Sequence, residues 1–530
     1  MKHKYFKSFS FYSFVITLLS IVFGFSNLNA QINFDQSNLD LNGFPPFQSG
    51  ITALEFGPDG KLYVAEYTGA IKILTVEKVA ANNYIVQDME ILNALADIQN
   101  HNDDGTLNSS TQRETTGIRV VGTALEPVIY VSSSDIRIGG DVNKGDTNLD
   151  TNSGIITRFT QNGTGWTVVD IVRGLPRSEE NHATNGIQFT TIGGIDYLLV
   201  AQGGHTNGGG PSNNFAFITE YALSGAVLSI NLTALEAMPI SDDNGRNFIY
   251  DLPTVDDPTR ANANGIEDPN DLSYNGVDIN DPFGGNDGLN QAKLVQGGPV
   301  QIFSPGYRNA YDLVITQSGA VYVTDNGANV GWGGFPINEG TPFVNNDYDP
   351  NETGGGGISN PAPDGEYINN LDHLELITTN VQNYIFGSYY GGHPNPIRAN
   401  PSGAGLYTDD GTNAVFRTKI YDPNADGTDP NTTANIAEAL PADWPPVPVN
   451  LANPVEGDWR GPGLPNPEGD VDAIITGWGT NTNAIVEYTA GNFEGVMEGD
   501  LLAGVNTGVV RRVELEPDGT LETLSSNFLT

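Results

Sequence analysis

The sequence contains no cysteine. Disulfides, thiolate metal sites and cysteine nucleophiles are therefore excluded, and stability has to come from core packing or bound metal. Basic residues are scarce: 23 Lys and Arg stand against 64 Asp and Glu, for a net charge of −41. Such a surface repels nucleic acid and anionic lipid and attracts cations, Ca²⁺ among them, so nucleic-acid binding is excluded. Long apolar runs are lacking too, with one exception. Phe14 to Phe25 is apolar, is preceded by Lys2, Lys4 and Lys7, and is followed by Ser26 to Ala30. That run is too short to span about 30 Å of hydrocarbon. It reads as a secretory signal peptide over residues 1–30, cut after Ala30. The expectation is an exported protein, extracellular or periplasmic, with no membrane span after cleavage and a single domain over 31–530.

Glycine and proline are abundant, at 64 and 32 residues, which suits tight turns between short strands. The clearest pattern runs from Ile51 to Leu74. One strand enters the turn Gly57-Pro58-Asp59-Gly60, a second covers Lys61 to Ala65, and Thr68-Gly69 turns into a third. The same grammar returns at Gly117 to Ser132 with Ser153 to Phe159, and at Asn185 to Ala201 with Ala226 to Asn231. It returns again at Tyr311 to Thr324, and at Ala484 to Glu487 with Leu501 to Val505 and Gly508 to Leu515. Radially repeated four-stranded sheets fit this best, so the fold class is all-β, a propeller of about six blades. A β-sandwich array is the competing architecture. Asn/Asp/Gly/Pro-rich loops at Asp251 to Gly298, Gly333 to Tyr367 and Asp409 to Gly469 separate the copies. The first carries eight acidic residues, from Asp256 to Asp287, and reads either as a Ca²⁺ site or as solvated surface. Asp422-Pro-Asn-Ala-Asp-Gly427 resembles the first half of a calcium loop, but Thr433 stands where the pattern wants Glu.

Histidines are few, six in all. His182 lies just before a strand, a junction that in a propeller faces the axial pocket, where imidazole is the natural general base near neutral pH. Glu179 and Glu180 beside it would raise its basicity. A loop histidine bonded to a backbone carbonyl is the plainer alternative. Arg308 and Asn309 also sit one step before a strand. A guanidinium and an amide there can grip planar carbonyls and carboxylates, or tie one blade to the next.

Taken in order, three segments resemble the soluble glucose/sorbosone dehydrogenases, which use pyrroloquinoline quinone (PQQ). They are Gly-Leu-Pro…Asn-His182…Asn-Gly, Gly-Tyr-Arg308-Asn309-Ala-Tyr-Asp-Leu and Val-Tyr-Val-Thr-Asp325-Asn-Gly. Asp372-His-Leu-Glu375-Leu-Ile, Tyr389-Tyr-Gly-Gly-His393 and Asp500-Leu-Leu-Ala-Gly extend the likeness, which covers about Gly50 to Leu515. The resemblance implies a six-bladed propeller with PQQ over its channel and Ca²⁺ beneath the quinone. It implies that His182 takes the proton of a sugar hydroxyl, that Arg308 and Asn309 hold the quinone, and that Asp372 and Glu375 lie near the metal. The partners would be a small sugar and an external electron acceptor.

Four departures stand out. Asn506 replaces the family's cofactor lysine, and no glutamine matches before the second blade, where Arg113-Glu114-Thr115-Thr116 stands. Asn181 replaces an aspartate, and Thr530 comes where a last blade would begin. The last blade is incomplete in this reading, or the ring closes differently. Two other functions stay open. One is a propeller that has lost PQQ and binds carbohydrate without chemistry. The other is a Ca²⁺-dependent lactonase or esterase, which needs carboxylates and asparagines converging on the channel.

Overall fold

In the computed structural model the chain divides into two units, Met1–Asn38 and Leu39–Thr530. The structure describes residues 32, 34 and 36–529, apart from 104, 140–146, 209–212, 217–219, 222, 257–289, 293, 296, 330–331, 333–370, 390, 392, 394–405, 409–413, 417–473 and 480. The expected signal peptide, most of the three long loops and the Asp422–Gly427 half-loop lie outside the described residues. The few described residues of the first unit form no strand.

The second unit is an all-β propeller, with five blades among the described residues. Blade 1 comprises Ile51–Phe56, Leu62–Glu66, Ile71–Ala80 and Asn83–Leu92, with Leu39–Asp40 added in parallel at its outer edge. Blade 2 comprises Arg113–Gly122, Pro127–Asp135, Gly154–Asn162 and Gly165–Leu175, extended outward by Arg246–Asp251 and Ser241–Asp243. Blade 3 takes Thr184–Ile192, Ile195–Gln202, Ala226–Asn231 and, after a long excursion, Val300–Pro305. Blade 4 takes Ala310–Ile315, Val321–Asp325, Asp372–Thr378 and Ile474–Trp478, and blade 5 takes Thr482–Glu487, Leu501–Val505, Val510–Leu515 and Leu521–Leu529. The five strand-turn copies in the sequence are these five blades. The expected count of six is not reached among the described residues. Among the described residues helix is confined to the single turn Leu232–Glu236 and short 3-10 segments, and none of these is long and apolar enough to cross a membrane.

The first strand of each blade is innermost, and these strands pack in sequence: blade 1 on 2, 2 on 3, 3 on 4, 4 on 5. Most of the hydrophobic core lies in the four seams between them, and a further cluster packs Val64, Leu74 and Val86 of blade 1 against Leu39, Leu41, Phe44 and Phe47. Strand alternation explains how one blade serves two seams. In Ile195–Gln202, Leu198 and Val200 face blade 2, while Leu199 and Ala201 face blade 4. A strand buried on both faces reads as a continuous apolar run, which is why Tyr197-Leu-Leu-Val-Ala is uninterrupted. Each such side chain contributes about 1.5–3 kcal/mol on burial.

Near the axis the strands approach too closely for a side chain. A Cβ on Gly117 in blade 2 would overlap the carbonyl oxygen of Asn185 in blade 3, and one on Gly186 in blade 3 would overlap the carboxylate of Asp312 in blade 4. Polar groups bridge the same seams: Thr116 Oγ1 donates to the Thr184 carbonyl at 2.9 Å, and Thr324 Oγ1 to that of Asn483 at 2.7 Å.

Candidate active site

The innermost strands of blades 2 to 5 start at one end of the axis. Residues at those starts surround a cavity of about 420 Å³, within the size range of small-molecule sites. All five blades line it: Tyr67 from blade 1, Glu114 from blade 2, His182 before blade 3, Arg308 before blade 4 and Asn481 before blade 5. His182, Arg308, Asn309 and Asp372 are therefore brought together, whereas Glu375 does not line the cavity.

His182 is carried on the loop from Leu175 to Thr184, and a buried arginine holds that loop in shape. The Arg177 guanidinium donates to the carbonyls of Asp135 (3.1 Å), Arg137 (2.8 Å) and Glu180, and pairs with Glu114 at 2.9 Å. Ser178 and His182 close the loop reciprocally, His182 N donating to Ser178 Oγ at 3.0 Å and Ser178 N to the His182 carbonyl at 2.9 Å. The imidazole Nδ1 lies 2.8 Å from the Gly204 carbonyl. A carbonyl only accepts, so Nδ1 carries the proton and Nε2 is the basic nitrogen. Nε2 lies 3.6 Å from Glu180 Oε2, and the ring packs on Phe215 at 5.1 Å between centroids. The carbonyl-bonded loop histidine of the sequence reading is what the structure shows, and the bond leaves Nε2 as the nitrogen able to accept a proton. Burial, and after it the positive charge of Arg308, holds the pKa well below 6.5. The expected rise from Glu179 and Glu180 is overridden. Glu179 is spent on anchoring another loop, accepting from Thr147 N (3.0 Å), Thr147 Oγ1 (2.8 Å) and Leu149 N (3.2 Å).

Arg308 is only 2% exposed. Its Nε donates to Asn207 Oδ1 at 3.1 Å, while its Nη2, buried, has no hydrogen-bond partner among the described residues. The guanidinium lies 6.0 Å from the Phe215 ring and 5.9 Å from that of Trp332. A buried cation with a donor to spare beside aromatic faces suits a planar ligand bearing carbonyl or carboxylate oxygens. The residues present thus fit a quinone of the PQQ type at Arg308. Asn309 contributes differently. It belongs to an amide chain on the wall: Asn185 Nδ2 donates to Asn309 Oδ1 (3.1 Å), Asn309 Nδ2 to Asn326 Oδ1 (3.1 Å), and Asn326 Nδ2 to Asn483 Oδ1 (2.8 Å).

The two residues expected near a metal part company. Along the strand Asp372–Thr378 successive side chains point to opposite faces, so Asp372 and Glu375 lie on different sides and cannot share one ion. Asp372 takes hydrogen bonds from Gly327 N (3.0 Å), Thr482 N (3.0 Å) and Asn326 Nδ2 (3.3 Å), which tie blade 4 to blade 5. Glu375 is fully buried and accepts from Tyr389 Oη at 2.7 Å. Ca²⁺ needs six to eight oxygens. Carboxylates and asparagines do converge on the cavity, but Glu114 is paired with Arg177, Asp372 is spent on amides, and three asparagine oxygens accept from neighbouring amides.

Several residues that shape the site carried no local signal. Glu220 is fully buried and knots the wall behind Arg308. Its oxygens accept from Thr206 Oγ1 (2.6 Å), Ser224 Oγ (2.5 Å) and His205 N (2.9 Å), with His393 Nε2 at 3.2 Å. Burial pushes its pKa up, but the His393 and Ser224 hydrogen bonds and nearby imidazoles outweigh it and bring the value to about 2. Glu114 belongs to the segment Arg113-Glu114-Thr115-Thr116, where the resemblance wants a glutamine and no residue matches it. Burial raises its pKa to about 7, the Arg177 charge opposing and that of Glu180 adding. Asn506, at the lysine position, is exposed and donates its backbone N–H to the carbonyl of Asn481 on the cavity wall at 3.1 Å.

No protein-family model matches the sequence, and no curated protein does either. Solved structures similar to this chain include the PQQ-bound aldose sugar dehydrogenase of Streptomyces coelicolor, at 11% identity and TM-score 0.37, over 91% of this chain and 83% of that one. The holo PQQ domain of pyranose dehydrogenase from Coprinopsis cinerea matches at 11% identity and TM-score 0.40, over 91% and 80%. A calcium structure of a Trichoderma reesei carbohydrate-active enzyme of family AA12 matches at 12% identity and TM-score 0.36, over 91% and 82%.

Proposed function

We propose that the cavity is the active site of an exported, quinone-dependent oxidoreductase acting on a sugar hydroxyl. One observation carries this reading: a neutral imidazole and a buried guanidinium with a spare donor line the same cavity. PQQ, when bound, supplies a two-electron acceptor for the hydride that leaves the sugar carbon. Every other task falls to the chain. His182 Nε2 takes the hydroxyl proton, a role that needs a neutral base at the working pH and is worth about 10²–10⁴ in rate. Arg308 faces the ligand's oxygens and stabilises negative charge there. Phe215 and Trp332 shield the guanidinium from water, which strengthens its field.

Ca²⁺ belongs to this reading through the motif resemblance alone, and no step is assigned to it. A Ca²⁺-dependent lactonase is less well supported, because Glu114 pairs with Arg177, Asp372 accepts three amide hydrogens, and the oxygens of Asn309, Asn326 and Asn483 accept from neighbouring amides. The test is a titration of the purified protein with PQQ and Ca²⁺, followed by aldoses and a dye acceptor. A shifted quinone absorbance with sugar-dependent dye bleaching is the expected result. An unshifted quinone, with sugar still retained on a column, would mean a carbohydrate-binding propeller without chemistry. Lactone hydrolysis stopped by a chelator would mean the hydrolase.

A further inference from the structure

Blade 4 holds a second cluster, behind the cavity wall, that the oxidoreductase reading does not use. Asp325 and His373 are direct partners across the antiparallel pair Val321–Asp325 and Asp372–Thr378. Paired residues share a face of the sheet, and Glu375, two residues beyond His373, shares it too. One ligand atom from each of the three lies within 4.8 Å of the others. All are buried, at 0%, 1% and 0% exposure for Asp325, His373 and Glu375.

We propose that Asp325, His373 and Glu375 bind a first-row divalent cation of the zinc class, as a structural site separate from the cavity. His373 Nδ1 and Glu375 Oε1 face each other at 4.0 Å. That is beyond hydrogen-bond range, but within the span of one ion held at about 2.0–2.2 Å by each ligand. An imidazole nitrogen among the ligands favours zinc-class ions over Ca²⁺, which takes oxygens. The surroundings supply the outer support such sites have. Tyr389 Oη donates to Glu375 Oε2 at 2.7 Å, which fixes that carboxylate. Asp325 accepts the backbone N–H groups of Arg308 (3.1 Å) and Asn309 (2.7 Å). An ion here would therefore brace the corner from which Arg308 enters the cavity.

The test uses the whole protein and reads metal rather than activity. Protein stripped with a chelator is loaded with Zn²⁺ for metal analysis and with Co²⁺ for its visible spectrum, and thermal melts are recorded with and without Zn²⁺. One tightly held equivalent, a Co²⁺ spectrum showing nitrogen ligation, and a melting point raised by Zn²⁺ are expected. Glu375→Gln keeps the shape and the Tyr389 bond and should lose the equivalent and the spectrum. Tyr389→Phe should weaken binding about 10–100-fold. His373→Gln should lose the nitrogen signature. No bound equivalent in the wild-type protein overturns the proposal whatever the variants do. So does a Co²⁺ spectrum unchanged in a folded Glu375→Gln or His373→Gln protein.

Discussion

His182 and Arg308 are tied to one residue. Gly204 receives the His182 Nδ1 proton on its carbonyl at 2.8 Å and donates its own N–H to the Arg308 carbonyl at 2.8 Å. The adjacent Gly203 bridges to Asn309. The base and the cation are thus fixed relative to each other through backbone, before any ligand arrives.

His182→Ala should lower sugar-dependent dye reduction by about 10²–10⁴ in kcat. Quinone titration should be nearly unchanged, because Arg308 and its aromatic neighbours remain. Equal loss of quinone binding and turnover would place His182 among the binding groups instead.

The titration of His182 has a definite sign. Burial and the Arg308 charge both disfavour the imidazolium, so the ring stays neutral as pH falls through 6.5 and protonates only below it. Removing the charge with Arg308→Gln should move the value up toward 6.5, and Arg308→Lys should move it less. Histidine NMR across a pH series reads both, and the same Gln variant should lose the quinone absorbance shift.

Glu220→Gln tests the knot behind the wall. The folded carboxyl titrates near 2, below its ordinary 4.5. Its stabilisation is therefore complete above about pH 4.5 and is lost as pH falls toward 2. The variant should be less stable near neutrality by about 1.5–3 kcal/mol, the worth of hydrogen bonds to a charged group. Denaturant melts at pH 7 and pH 3 should show the gap closing.

Gly186→Ala should destabilise the propeller by about 1–3 kcal/mol, as overpacking does. The added methyl meets Asp312 across the seam between blades 3 and 4. In a double-variant cycle, Asp312→Ala should recover part of that loss, since the two residues touch. Equilibrium unfolding in denaturant checks both.

Much of this was legible in the chain. The turns Pro58-Asp59-Gly60 and Pro517-Asp518-Gly519 announce strand pairs at either end of the domain, and both glycines take positive φ, +76° and +89°. The positions of His182 and Arg308 just before strands placed them at the axial cavity. The two metal candidates of the sequence, Asp372 and Glu375, do not face the same way. Asp372 and Glu375 look like neighbours in sequence, but a strand alternates sides, and His373-x-Glu375 is the pair that shares a face. Nothing local marks Glu220, and its partner His393, 173 residues away, meets it only when blade 3 and blade 4 dock. The basicity of His182 was misjudged because sequence shows the adjacent carboxylates and not the burial or the distant guanidinium.

Most of the core occupies the seams between blades, so each inner sheet is greased on both sides and owns neither layer of grease alone. Pulling one sheet away would strip the cover from two neighbours at once. Loss of structure should then spread around the ring as a single event, with no blade melting quietly by itself. Damage far from the cavity, in any seam, would be felt there as loss of the whole site.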